Sequence, residues 1–369
     1  MNQLILDSLL IEKFRTFEHL EIPKLGKVNL IVGRNSVGKT CLLEALWLYA
    51  HRGNPSVIWE ILSRRDEYNE TSRVNDFDEA FAAVSYMFYG REDVRLQSER
   101  IRIGSLHNHT NILTVGIDYY NVKVNADTGR RTIEAISADD LLDAENSQPR
   151  FSIEFNGSQR QSYVINPENR RRLSIQRSLE AIESVFVPTS GIERRQIANL
   201  WDGIALTDLE GDVLSALKVI DKDIDRVALV SEGDPTTSRY AIVKTKNSRR
   251  PFPLRSLGDG MSRVLGVALS LVNCQNGILM VDEFENGLHY SIQLDLWRLI
   301  FKVARQLNVQ VFATSHSWDC IEAFQKAAVE DVHQQGMLVR LEKKDGQIIP
   351  TLFDERKLSI ATREQIEVR

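Results

Sequence analysis

Short apolar runs alternate along this chain with longer segments whose apolar residues recur every three or four positions. LILDSLLIEKF (4–14) and KVNLIVG (27–33) read as strands, and Lys39–Arg52 carries helical spacing. From Ser256 onward the alternation is regular. A Gly-rich turn opens a helix, MSRVLGVALSLVN. Strand GILMVD, helix HYSIQLDLWRLIFKVARQL, strand VQVFATS and helix WDCIEAFQKAA follow, then the strands MLVRLEKKDG and QIIPTLF. Strands and helices in this order predict a mainly parallel sheet with helices on its faces.

The middle of the chain is patterned differently. DFDEAFAAVSYMFYG begins as a helix. ERIRIG, NILTVGIDYYNVKV, RRTIEAI, RFSIEF and QSYVI then read as short strands, divided by turn signals at Gly104, Asp127–Gly129 and Asn156–Gly157. They predict an antiparallel subdomain. NPENRRRLSIQRSLEAIES (166–184) reads as a helix before the strand SVFVPT. IERRQIANLWDGI and DLEGDVLSALKVID are two more helices, followed by a hairpin, DRVALV to RYAIVK, looped at Gly233–Ser238. The fold expected is α/β in two lobes. Residues 1–187 hold the first strands and the antiparallel subdomain, and residues 188–369 hold the regular α/β part with a helical insertion at about 190–250.

Composition narrows the class. With 369 residues, 43% hydrophobic and 26% charged, the chain can bury two cores. Its net charge of −5 does not press toward a nucleic-acid partner. Cys41, Cys274 and Cys320 have no metal or disulfide spacing and fit a reducing cytoplasm. Apolar runs such as VLGVALSLV fall far short of the roughly 18–20 residues of a membrane span. MNQLILDSLL lacks the basic start of a signal peptide. A cytoplasmic protein with no membrane partner is expected.

One octet carries distinct chemistry. GRNSVGKT (33–40) fits G-x-x-x-x-G-K-[ST], with a strand before it and a helix after it. Gly33 and Gly38 let the backbone wrap phosphates. Arg34, Asn35, Ser36 and Val37 complete the loop, and the free N–H groups of the helix start, as far as Cys41, face the anion. Lys39 reaches the β- and γ-phosphates of ATP, and Thr40 ligates Mg²⁺. Downstream, the apolar strand Ile278–Val281 ends in Asp282 and Glu283. Asp282 is the second candidate for the Mg²⁺, and Glu283 for the base that accepts the proton of an attacking water. The next strand ends in Ser315 and His316, where a γ-phosphate sensor belongs. Lys39, Glu283 and His316 are the catalytic candidates.

With RSLGDGMSR (255–263) added, the order of parts resembles the ABC-type ATPase head, in particular its RecF/SMC/OLD branch. IEKFRTF looks like that branch's opening strand and turn. VDEFENGLHYSIQ and ATSHSWDCIEAF resemble OLD-like ATPases of bacterial phage-defence systems, including the PARIS type. The resemblance is dense over residues 1–52 and 252–328 and weak between them. It implies a head-to-tail dimer, or a larger assembly, with each ATP held between one cradle and the partner's LGDGM turn. Ser256, Gly258, Asp259 and Gly260 would meet the γ-phosphate across that interface, with Gly258 standing where the family usually has serine. Asn286 falls in the loop between heads. Arg15 matches a residue near the nucleotide, and a solvated strand-end arginine is the other reading. The family's glutamine loop is not placed: Gln97, Gln159 and Gln161 are all candidates.

No heptads or C-x-x-C occur between cradle and LGDGM turn, so no coiled-coil arm or zinc hook is expected. DERKLSIATREQIEVR after the last strand is too short for the Toprim nuclease of OLD enzymes. A switch that reports to a separate effector, with a Toprim-type nuclease as the candidate, is therefore expected. A RecF-like repair ATPase holding DNA through Arg170–Arg172 and Arg249–Arg250 is the alternative, and an ATP-holding scaffold with little turnover is a third. His107 and His109 lack a third metal ligand and read as loop residues.

Overall fold

The computed structural model describes residues 4–68, 77–91, 99–108, 111–124, 131–136, 147–166, 181–231, 239–331, 333, 335–354, 357 and 360. Most of the helix expected over 166–184, with Arg170–Arg172, lies outside these residues. So do the Asp127–Gly129 turn, the Gly233–Ser238 loop, Gln97 and His109. The first half of the chain runs β1 (Leu9–Phe14), β2 (Phe17–Ile22), β3 (Val28–Val32), α1 (Lys39–Ala50), α2 (Pro55–Arg64), α3 (Phe77–Ser85), β4 (Ile101–Gly104), β5 (Ile112–Val124), β6 (Arg131–Ala135), β7 (Ser147–Phe155), β8 (Gln161–Val164) and β9 (Ser184–Val187). The second half starts with α4 (Arg194–Asp202), α5 (Leu209–Ile220), β10 (Ile224–Val230), β11 (Tyr240–Thr245) and β12 (Phe252–Pro253). It continues with α6 (Asp259–Val272), β13 (Ile278–Val281), α7 (Tyr290–Gln306), β14 (Gln310–Ser315), α8 (Trp318–Glu330), β15 (Gly336–Lys344) and β16 (Gln347–Phe353).

Two large sheets result. The antiparallel one has the order β2-β1-β4-β5-β7-β8, with β6 on β5. The other has the order β16-β15-β3-β14-β13-β9, and its pairings from β15 across to β9 are all parallel. β3 and β9 come from residues 1–187 and the rest from residues 188–369, so both halves of the chain build one sheet. A small sheet, β10-β11-β12, stands beside it.

Helix α1 lies between the large sheets. From Cys41 to Ala50 every residue is buried, as a helix enclosed on all sides requires. Trp47 stacks on Phe186 of β9 at 5.2 Å, and Tyr49 meets Phe155 of β7 edge-on at 5.9 Å. The other face of the parallel sheet is covered by a second core drawn from α4 to α8. Helix α2 and strand β2 were not foreseen. Strand β2 has the sequence FEHLEI, whose adjacent Glu18 and His19 break the strict alternation that marks a half-buried strand. Among the described residues no helix is long and apolar enough to cross a membrane.

Candidate functional site

The ends of β3, β9, β13 and β14 converge because these strands run parallel and adjacent. Their carboxyl ends therefore deliver Gly33, Thr189, Asp282 and His316 to one edge of the sheet. The octet forms the expected turn between β3 and α1. Gly38 has φ 91°, and a Cβ there would lie 2.7 Å from both Phe17 Cζ and Thr16 Cγ2. Gly33, at φ 145°, would drive a Cβ to 2.4 Å from the Leu341 carbonyl oxygen. Only glycine fits these two places. Arg34, Asn35 and Ser36 are exposed, and Val37 is buried. Lys39 Nζ donates to the carbonyls of Gly33 (2.7 Å) and Arg34 (3.0 Å), so the ammonium arches over its own loop. Burial lowers its pKa, against the upward pull of Asp282, Glu283 and Glu285.

Asp282 is 6% exposed and collects three hydroxyls. Thr40 Oγ1 donates at 3.0 Å, Thr189 Oγ1 at 3.1 Å and Thr314 Oγ1 at 2.6 Å. Among the described residues no side-chain cation lies within ion-pair distance of this carboxylate. A buried anion surrounded by neutral oxygens suits a hard cation such as Mg²⁺, so the residues present fit one.

Glu283 follows in a left-handed conformation, φ 46°. Its N–H donates to Thr314 Oγ1 (2.8 Å) and its C=O accepts from Arg263 Nη2 (3.0 Å). The buried Phe284 stacks on Trp297 at 4.0 Å and pins the turn between Glu283 and Glu285. His316 is held by Glu285: the His316 N–H donates to Glu285 Oε1 at 2.9 Å, and Nδ1 lies 3.1 Å from the same oxygen. Glu283 Oε1 is 4.0 Å from Nδ1.

The LGDGM turn is formed, and among the described residues no hydrogen bond or ion pair joins it to the cradle. A 3₁₀ turn, Leu254–Leu257, leads to Gly258 (φ 103°), and α6 begins at Asp259. Gly260 packs against the Gly287 carbonyl, where a Cβ would approach to 2.6 Å. Ser256, Gly258 and Asp259 are exposed, with Arg255 3.7 Å from Asp259. Asn286 Nδ2 donates to the Thr189 carbonyl at 2.9 Å. Asp259 of the turn, Asn286–Gly287 and Thr189–Gly191 line one groove of about 830 Å³.

Arg15 is buried, which sets aside the solvated strand-end reading. It is 7% exposed, bonded to Glu67 by both terminal nitrogens at 2.9 Å and paired through Nε with Glu44 of α1 at 2.8 Å. The guanidinium is thus engaged by carboxylates, with Arg65 completing the cluster on Glu44 at 2.6 Å. Gln159 and Gln161 lie at the start of β8 in the antiparallel sheet, and Gln161 accepts from Tyr163. His107 contacts the Pro23 carbonyl. Sequence reading missed Thr189, Thr314, Glu285 and Arg263. The last left a signal, as the one charged side chain between Met261 and Val272 of a buried helix.

Residues 193–319 match the family model "AAA domain, putative AbiEii toxin, Type IV TA system". A Helicobacter pylori (strain ATCC 700392 / 26695) protein described as an ATP/GTP phosphatase is 23% identical over 377 aligned positions, covering 95% of each chain. A short stretch of 47 positions, 13% of this chain and 12% of the relative, is 38% identical to the DNA replication and repair protein RecF of Bacillus mycoides (strain KBAB4). Among solved structures, an SMC head bound to the C-winged helix domain of ScpA covers 96% of this chain and 99% of its own, with TM-score 0.52 and 11% identity. The fold is thus α/β of the SMC and ABC-ATPase head kind. The family match and the phosphatase relative, together with the cradle, support ATPase activity.

Proposed function

We propose that this chain is a Mg²⁺-dependent ATPase that works as a conformational switch, two copies facing head to tail. The observation that carries the reading is the contact of Thr40 with Asp282, which brings the cradle and the acidic strand end together across 242 positions of sequence. Lys39 would leave the carbonyls of Gly33 and Arg34 for the β- and γ-phosphates, exchanging one set of oxygen acceptors for a more strongly charged one. Thr40 and Asp282 would hold the Mg²⁺, which supplies charge neutralisation to the phosphates when bound. Glu283 accepts the proton of the attacking water. His316, steadied by Glu285, contacts the γ-phosphate. Ser256, Gly258 and Asp259 are exposed, with Gly260 beside them, where a second copy could bring its ATP, to a helix start whose N–H groups and dipole suit an anion. The division into lobes 1–187 and 188–369 carries over as part of this reading.

We read the switch as acting in bacterial anti-phage defence, with a separate nuclease-type effector as its partner, and the resemblance to OLD-like ATPases is what supports that reading. Steady-state turnover of Mg·ATP with Glu283→Gln as the blank is the test, run with and without duplex DNA. Turnover above the blank and indifferent to DNA supports the switch. Stimulation by DNA would instead favour a RecF-like repair ATPase. The short RecF match and the exposed Arg249 and Arg250 speak for that second reading.

A further inference from the structure

Arg263 sits in the first turns of α6 and is 7% exposed, among side chains that are otherwise apolar. Burying a guanidinium costs several kcal/mol unless its donors are met. Its terminal nitrogens find backbone carbonyls and no carboxylate. Nη1 donates to Pro188 O at 2.6 Å, and Nη2 donates to Asp282 O at 2.6 Å and to Glu283 O at 3.0 Å. An apolar side chain would pack α6 against the sheet at less cost, as Val264 and Leu265 do. The arginine therefore has a use beyond packing.

That use lies in the peptide it grips. Glu283 occupies left-handed space, which a non-glycine residue holds only when its surroundings fix it. Thr314 takes its N–H and Arg263 takes its C=O, so the peptide is clamped from β14 on one side and from α6 on the other. Pro188, the third acceptor, precedes Thr189, whose hydroxyl reaches Asp282.

We infer that Arg263 is a positioning residue for hydrolysis: its guanidinium, forked onto the carbonyls of Asp282 and Glu283, sets the direction of the Glu283 carboxylate. It also ties that direction to the helix opened by the Gly258 turn. The inference rests on the ATPase reading above. A lysine keeps the charge but cannot span three carbonyls with a planar fork.

The test compares wild type, Arg263→Lys and the Glu283→Gln blank for Mg·ATP turnover, ATP binding and thermal unfolding. Arg263→Lys should fold, bind ATP within about two-fold of wild type, and lose about 30-fold in kcat with KM unchanged. Should the lysine variant misfold, Arg263→Gln, uncharged and with two N–H donors, replaces it with the same expectation. A folded variant whose kcat stays within about three-fold of wild type overturns the inference, as does one that loses KM alone. Wild-type turnover no higher than the blank overturns the ATPase reading and this inference with it. Loss in the variant beside active wild type separates the two.

Discussion

Thr314 does two things with one hydroxyl: it donates to Asp282 Oδ1 and accepts from the Glu283 N–H. Thr314→Val keeps the shape and removes both bonds, leaving a buried carboxylate short of a donor. Turnover should fall about 10- to 100-fold, the worth of roughly 1.5–3 kcal/mol for a hydrogen bond to a charged group. Unchanged kcat in steady-state assays would remove Thr314 from the site. Cys41, next to Thr40, makes the opposite prediction. Burial first, and Glu44 second, push its thiol up to about 11, against the pull of Arg65 and Arg15. The thiol is therefore protonated at neutral pH, and iodoacetamide should leave it unmodified in the folded protein at pH 8. Labelling should appear only as the pH approaches that value or the chain unfolds. At this scale the cradle and the acidic pair were legible from spacing alone. Thr189, Thr314 and Glu285 were not, because their partners come from sheet order, and no local pattern encodes that β9, β13 and β14 lie side by side.

Among elements, the regular second half was legible because each helix and strand there has one clean period. Strand β2 was hidden by its paired polar residues. Helix α2 carried a readable start, with Asn54 accepting from the Ser56 N–H and Pro55 in the first turn, but its brevity and the preceding Gly53 masked it. These two elements matter for Arg15, which leaves the turn between β1 and β2 to join Glu44 on α1 and Glu67 after α2. Three separate segments are locked by one guanidinium. Arg15→Ala would strand Glu67 and leave Glu44 with Arg65 alone, and stability should drop by about 3–5 kcal/mol, as for other buried pairs broken on one side. Denaturant unfolding measures this, and adding Glu44→Gln to the variant should recover part of the loss. A midpoint unmoved by Arg15→Ala would show the cluster to be surface decoration.

For the whole molecule, the sheet order has a plain consequence. Strand β3 lies between β15 and β14, and β9 closes the far edge, so neither residues 1–187 nor residues 188–369 hold the whole of the parallel sheet. Residues 188–369 expressed alone would lack a central strand and expose unpaired edges on β14 and β15. That fragment should be unfolded or aggregated by circular dichroism and size exclusion, and adding residues 1–187 should restore structure only when the two are made together. An independently folded half would contradict this.

The sheet also has a quiet end. At the amino ends of its strands Lys27 Nζ reaches Asn308, Asn308 reaches Asn276, and Gln310 bridges Leu6 and Gly26. All of the candidate chemistry lies at the opposite edge, about 13 Å away along a four-residue strand. The exposed Gln275, in the turn before β13, is therefore a natural place for a surface tether or fluorophore. A molecule anchored there would present its cradle to solution, free to meet nucleotide and a second copy.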